Sequence, residues 1–283
     1  MSEQIPIICI IGPTASGKSA RAVEEAHSRD GEVISVDSRQ VYRTLDIGTE
    51  KIAQEEMRGV PHFLIDIHDP RDAYSAGDFV NDAEALIRDI RARGKTPILA
   101  GGTHFYFDAL LAGLSDETAV NEKLRAELET LPTEELAARV RAADARRAKE
   151  LDPSNRRRLV RALEIIEAHG KVPERKPRSE YAVEWILIDP DTETLRARID
   201  ARLRQALERG LVEEVRRVRE YVGDERLNEL GLEYRIIGEY LRGERDESSL
   251  LPSLSSGLYD YARRQKAWIR KLSLAHGIIA EAR

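Results

Sequence analysis

Cysteine is nearly absent from this chain, and its scarcity excludes a good deal of chemistry. Cys9 stands alone, so neither a disulfide framework nor a cysteine-based zinc site can form within one chain. It lies in the first apolar run and reads as a small buried hydrophobe. The histidines, His27, His62, His68, His104, His169 and His276, never pair at zinc-ligand spacing and are expected to be structural or surface residues. Long hydrophobic runs are missing too: the first, Ile5–Ile11, is seven residues long and runs straight into a glycine-containing loop. It reads as neither a signal peptide nor a membrane span, and a cytoplasmic protein with no membrane attachment is expected. Aromatic residues make up only 5% of the 283 residues while charged ones reach 34%, the balance of a soluble, helix-rich protein of one or two domains.

What is present begins with Gly12-Pro13-Thr14-Ala15-Ser16-Gly17-Lys18-Ser19, which fits the pattern G-x-x-x-x-G-K-[ST]. An apolar run precedes it and residues 20–29 follow with helical character. In that context the backbone N–H groups of the loop and a helix N-terminus cradle phosphate. The glycines let the backbone approach an anion, Lys18 is expected to reach the outer phosphate oxygens, and Ser19 to offer its hydroxyl to a bridging Mg²⁺. The loop is therefore a candidate site for a diphosphate or triphosphate. The motif alone leaves open which phosphorylated molecule it holds.

Residues 32–36 read as a short strand ending at Asp37-Ser38-Arg39-Gln40-Val41-Tyr42. Ligands of doubly wound sheets sit outside the carboxyl ends of strands, so Asp37 is a candidate Mg²⁺ ligand, a general base, or simply the cap of the next segment. A second apolar stretch, 62–66, closes on Asp66 and resembles the strand that carries the magnesium-binding acid of many phosphate-loop ATPases. Ser75 and Asp78 form a capping box ahead of a helix bearing Phe79, Ala83, Leu86, Ile87 and Ile90 on one side, with Gly94 as its stop. Residues 96–100 then make a buried strand that ends in Gly101-Gly102-Thr103, where Thr103 either faces the bound phosphate or caps a helix.

From residue 115 strands vanish and charged helical segments run to about His169, one of them with Val160, Leu163, Ile165 and Ile166 on its apolar side. Residues 171–179 look like an exposed connector, and 185–190 restore a strand. Thr192 is expected to cap a long helix with Leu195, Ile199, Leu203 and Leu207 in steps of four, Arg198 and Arg202 sharing another face. The rest is helical. The expected fold is α/β, a phosphate-loop NTPase-like parallel-sheet core of residues 1–114 and 182–283, with an inserted all-helical domain at 115–181.

Charge is unevenly spread. Residues 139–178 hold thirteen bases and six acids, a surplus of seven positive charges in a chain whose net charge is -6, so the remainder stands at -13. A second basic cluster is Arg263, Arg264, Lys266, Arg270 and Lys271. Such runs are solvated helix faces or nucleic-acid surfaces, and charge alone does not choose between them.

The motifs taken together resemble the tRNA dimethylallyltransferases. The resemblance rests on residues 12–19 and 34–42, on Asp46-Ile47-Gly48-Thr49 with Lys51, and on Asp66-Ile67 with Asp69-Pro70 and Tyr74-Ser75. It continues through Gly101-Gly102-Thr103 with Tyr106-Phe107, Arg158 with Arg161-Ala162-Leu163-Glu164, and Arg263 to Gln265 with Trp268. It implies transfer of a dimethylallyl group from dimethylallyl diphosphate to N6 of the adenosine 3′-adjacent to certain anticodons, with Mg²⁺ and release of diphosphate. The loop would then hold the prenyl diphosphate, and Asp37 would accept the N6 proton. Thr103 would assist at the leaving group, and Ser38, Arg39 and Gln40, with Asp37 and Thr103, would contact the target nucleotide. Arg125, Arg157, Arg158, Arg161 and Arg264 would contact the tRNA. A flipped-out adenine would have to enter the core. A monomer is expected. The chain departs from the family pattern at Gly231-Leu232-Glu233-Tyr234 and at Leu258-Tyr259.

Three other functions compete: a prenyltransferase acting on free adenine nucleotides, a small-molecule kinase using the loop for ATP, and a non-catalytic RNA-binding module. The basic insert argues against the first, since a mononucleotide does not need so large a cationic surface. A kinase would need an acceptor site and usually an arginine-bearing lid. The module leaves Asp37 and Thr103 without purpose.

Overall fold

The structure, a computed structural model, describes residues 4–114, 121–174, 180–276 and 278. Two compact units divide the chain: Met1–Leu110 with Ser179–Arg283, and Leu111–Arg178. The boundary expected at residue 115 and the basic end of the connector, 175–179, fall outside the described residues.

The first unit is built on a five-stranded, wholly parallel sheet of β1 Ile5–Ile11, β2 Gly31–Ser35, β3 His62–Phe63, β4 Thr96–Gly101 and β5 Tyr181–Leu187, in the order β3-β2-β4-β1-β5. The centre of this sheet is buried on both faces, as Ile7 to Ile11 of β1 and Ile98 and Leu99 of β4 show, and this is why β1 reads as an apolar run rich in isoleucine with no polar alternation. The edge strand β5 begins at Tyr181, earlier than its apolar run suggested. Its first half alternates and carries Glu184, which makes two hydrogen bonds of 2.7 and 2.6 Å to the Arg29 guanidinium. Polar alternation of that kind belongs to an edge with one wet face.

The helices are α1 Lys18–Ser28, α2 Ala76–Ala92, α3 His104–Ala112, α4 Glu122–Glu129, α5 Thr133–Ala143, α6 Ala145–Glu150, α7 Arg156–His169, α8 Thr192–Glu208, α9 Leu211–Glu229, α10 Leu232–Leu241 and α11 Leu250–His276. The capping box before α2 is formed as expected, Ser75 and Asp78 each bonding the other's backbone N–H. At α8 the cap is Asp191, not Thr192. Its carboxylate accepts from the N–H of Thr194 at 2.9 Å and from the Thr194 hydroxyl at 2.7 Å, while Thr192 is already helical. The acid stands one residue earlier in an extended conformation and so takes the capping position first.

Helices α8 to α11 share a core of Leu195, Ile199, Leu203, Val215, Tyr234, Leu254 and their neighbours with Val41, Tyr42 and Leu45. The segment after β2 is thereby packed onto the C-terminal helices. One buried carboxylate pins it further. Glu214 of α9 accepts the N–H groups of Asp46, Ile47 and Gly48 at 3.1, 2.7 and 3.0 Å and the Tyr234 hydroxyl at 2.7 Å. The second unit, α4 to α7, has its own core of Leu128, Leu136, Val140, Leu151, Leu159, Val160 and Leu163.

Candidate active site

Because β1, β2 and β4 are parallel and adjacent, the loops leaving their carboxyl ends, 12–17, 37–40 and 102–103, open on one edge of the sheet. Gly17 lies in the left-handed region (φ 96°) and starts α1 with no side-chain cap, so the first N–H groups of that helix remain for an anion. Ala15 also has a positive φ, 59°. For a residue with a Cβ this conformation costs about 1–2 kcal/mol, strain of the kind that functional loops hold. Lys18 Nζ donates to the Pro13 carbonyl at 2.7 Å. Burial pushes the Lys18 pKa down to about 8, the Asp37 carboxylate works against that shift, and the Arg202 guanidinium adds to it. Lys18, Asp37 and Arg202 thus share one electrostatic neighbourhood.

Asp37 serves the backbone and leaves an oxygen over. Its Oδ1 accepts from the N–H of Arg39 at 2.8 Å and of Gln40 at 3.2 Å, so the capping role foreseen for it is real. Both bonds fall on Oδ1, which leaves Oδ2 as the oxygen that could accept a further proton. Thr103 closes the gap between β2 and β4: its N–H donates to the Val36 carbonyl at 3.1 Å and its Oγ1 accepts from the Ser38 N–H at 3.0 Å. Gly101 permits this approach, since a Cβ there would overlap the Val36 carbonyl. Gln40 is turned inward. Its Nε2 donates to the carbonyls of Thr49 and Glu50, both at 3.1 Å, and its Oε1 accepts from the Ser35 hydroxyl at 3.3 Å, which commits the amide to holding the following loop.

Asp66 does not sit at the phosphate loop. Strand β3 ends at Phe63, Leu64 and Asp66 take φ values of 61° and 56°, and Asp66 accepts from Lys51 Nζ at 2.5 Å. Two strands separate β3 from β1. The apolar run that suggested a longer strand is broken by those two left-handed residues.

Several side chains without an assigned role converge on the loop. Arg198 donates to the Ser16 carbonyl at 3.1 Å and Arg202 to the Thr14 hydroxyl at 2.9 Å. Both lie on the polar side of α8, and an i, i+4 arginine pair on an amphipathic helix looks like any solvated face. The carboxylates of Glu50 and Glu233 stand 4.0 Å from Arg202, and burial raises the pKa of both. Buried Gln265 of α11 bridges two loops: its Oε1 accepts from the Thr14 N–H at 2.7 Å and its Nε2 donates to the Gly102 carbonyl at 3.0 Å. A cavity of about 790 Å³ on the α8 side of the loop is lined by Ala15, Gly17, Arg21, Ile188, Arg198 and Arg202 among others; Lys18, Asp37 and Thr103 are not part of its wall. Ser19 is exposed at the second position of α1, and Arg264 is exposed on α11.

Within the second unit, Arg157 and Arg158 are exposed at the start of α7. Arg125 and Arg161 are tied inward. Arg125 makes a two-pronged bond to buried Glu164, both arms at 2.9 Å, and Arg161 reaches the same carboxylate at 3.2 Å. Each arginine side chain keeps about a third of its surface exposed, so the pair presents an ordered cationic edge with part of its charge offset.

The model of a protein family described as IPP transferase matches residues 40–272, most of the chain. The chain belongs to the IPP transferase family. Among its relatives in that family, the tRNA dimethylallyltransferase of Thermomicrobium roseum is 40% identical over 281 residues, covering 96% of this chain and 85% of its own. That of a Roseiflexus species is 41% identical over 278 residues, covering 95% and 91%. Solved structures are similar over most of the chain. The tRNA isopentenylpyrophosphate transferase of Bacillus halodurans aligns with a TM-score of 0.72 at 35% identity, over 94% of this chain and 87% of that one. A eukaryotic dimethylallyltransferase acting on tRNA aligns with a TM-score of 0.80 at 29% identity, over 94% and 70%. The family resemblance read from the motifs and the family found by comparison are the same.

Proposed function

We propose that this protein is a tRNA dimethylallyltransferase: it moves a dimethylallyl group from dimethylallyl diphosphate to N6 of the adenosine 3′-adjacent to the anticodon of certain tRNAs. The observation that carries the reading is the convergence of an anion-binding loop and a carboxylate, Lys18 after β1 and Asp37 after β2, on the two sides of the carboxyl end of β4. An allylic transfer needs both. The N6–C1 bond forms as the C1–O bond breaks, the bonding electrons leave with diphosphate, and the N6 proton passes to Asp37 Oδ2. Lys18, the amides at the start of α1, Arg198 and Arg202 stabilise the departing charge. Thr103 holds the two strand ends together, its hydroxyl donating to Ser38 Oγ at 3.4 Å, a long bond that a substrate oxygen can replace.

Mg²⁺ in phosphate sites is held by one or two protein oxygens plus the phosphates themselves. The exposed Ser19 hydroxyl fits that sparse donor set, and a bound Mg²⁺ would neutralise leaving-group charge. Arg157, Arg158 and the Arg125–Arg161 edge make phosphate contacts that position the anticodon stem-loop, with Arg264 as a further RNA contact. Ser38 and Arg39 face the target nucleotide, and Gln40 shapes the loop behind them. Among the described residues no helix is long and apolar enough to cross a membrane. The reading makes the protein a cytoplasmic monomer, because tRNA is used there and every motif of the reaction comes from one chain.

Purified protein given unmodified tRNA, dimethylallyl diphosphate and Mg²⁺ should yield a nucleoside heavier by one dimethylallyl group after digestion and mass spectrometry. ATP hydrolysis or phosphorylation of a metabolite without prenyl transfer would sink the reading.

A further inference from the structure

We propose that His104 Nε2 donates a hydrogen bond to an oxygen of the diphosphate held by loop 12–19, which makes His104 a binding residue for the prenyl donor; this rests on the reading of that loop given above. His104 opens α3, one residue beyond Thr103 at the carboxyl end of β4. Its ring lies flat on Trp268 of α11, with centroids 4.1 Å apart and planes 3° from parallel. Trp268 is itself fixed, its Nε1 donating to Asp108 Oδ2 at 3.0 Å one helical turn beyond His104. Stacked in this way, the imidazole has only its edge for polar contacts.

One nitrogen on that edge is unsatisfied. Nε2 of His104 is buried and has no hydrogen-bond partner among the described residues, an unfavourable state that native proteins seldom keep without a reason. The ammonium of Lys18 is close by: a Cβ placed on Gly102, two residues before His104, would lie 4.0 Å from Lys18 Nζ. Burial first, and the Lys18 charge second, lower the His104 pKa to about 4. The ring is therefore neutral at physiological pH and has one N–H to give, which the proposal places on Nε2. It offers a donor beside Lys18 without adding a second positive charge to repel it, and an arriving diphosphate supplies the acceptor that the protein lacks.

The rival account makes the ring a filler on Trp268. His104→Phe separates the two, because it keeps the stack and removes the nitrogen, while His104→Gln restores an N–H donor. Calorimetry with inorganic diphosphate should show binding about ten- to a hundredfold weaker in the Phe variant, partly recovered in the Gln variant and abolished by Lys18→Ala. In ¹⁵N-histidine-labelled parent protein, the His104 Nε2 resonance, identified by its loss in the Phe variant, should move when diphosphate is added. If the parent binds diphosphate through Lys18 yet the Phe variant binds as tightly and the resonance stays in place, the proposal is overturned and the loop reading survives. If the parent does not bind diphosphate at all, both fall.

Discussion

Replacing Gln265 by leucine tests whether the last helix completes the phosphate loop. The residue is 3% exposed, and its bonds include one accepted from the Thr14 N–H at 2.7 Å and one donated to the Gly102 carbonyl at 3.0 Å. Leucine has nearly the same volume, so no large cavity is opened. What changes is that a donor in the loop and an acceptor after β4 lose their partners together. Leaving such a group unsatisfied costs about 1–3 kcal/mol; with Thr14 only partly buried, the pair should cost about 2–4 kcal/mol. Urea unfolding should therefore show a lower midpoint with an unchanged slope. Gln265→Glu sharpens the test. A carboxylate still accepts from Thr14 but has nothing to donate to Gly102, and it brings a negative charge to the place where diphosphate binds. It should lose comparable stability and bind prenyl diphosphate more weakly than the leucine variant. A Gln265→Leu protein within about 0.5 kcal/mol of the parent would refute the reasoning, since Thr14 and Gly102 would then have found other partners.

Asp37→Asn should lower turnover about 10²–10⁴-fold with tRNA affinity kept, because the Asn Oδ1 can still accept from Arg39 and Gln40; an unchanged rate removes Asp37 from proton transfer. Arg158→Gln should weaken tRNA binding and reduce the slope of log affinity against log salt by about 0.7–0.9, and a salt dependence identical to the parent's would return this arginine to a solvated face. In ligand-free, metal-free protein the Lys18 side chain should titrate near about 8, followed by ¹³C NMR at its Cε. The sign follows: the ammonium is present below that pH and lost above it, so affinity for prenyl diphosphate should fall about tenfold per pH unit beyond it, and a flat profile to pH 10 contradicts the burial of Lys18.

Most of the sheet was legible because its physics is local. A parallel strand buried on both faces reads as a near-continuous apolar run, and β1 is one; a capping box is two residues three apart, and α2 has it. The loop at 12–19 needs only a strand before it and a helix after it. Contacts across the chain were not legible. Arg202 meets Thr14 across 188 positions, and nothing in α8 distinguishes its polar face from a wet one. Glu164 was noticed as part of a motif, but its hold on Arg125 and Arg161 depends on how α4 lies on α7. Gln40 illustrates the same limit, since its neighbours in sequence suggest a reader of the nucleotide while its amide is used by Thr49 and Glu50. His104 was set aside as structural because one histidine carries no spacing.

The Thr14–Gln265 bond spans 251 positions, and this has a consequence during synthesis. A ribosome adding about 5–20 residues per second needs roughly 10–50 s between making the loop and making the residue that braces it. Through that interval the nascent chain carries the phosphate motif without its brace, and closing so long a loop is entropically slow. The emerging polypeptide is thus not a donor-binding fragment that later acquires tRNA. Competence should arrive late and all at once, when α11 clears the exit tunnel, so truncated products of interrupted translation should bind neither substrate productively.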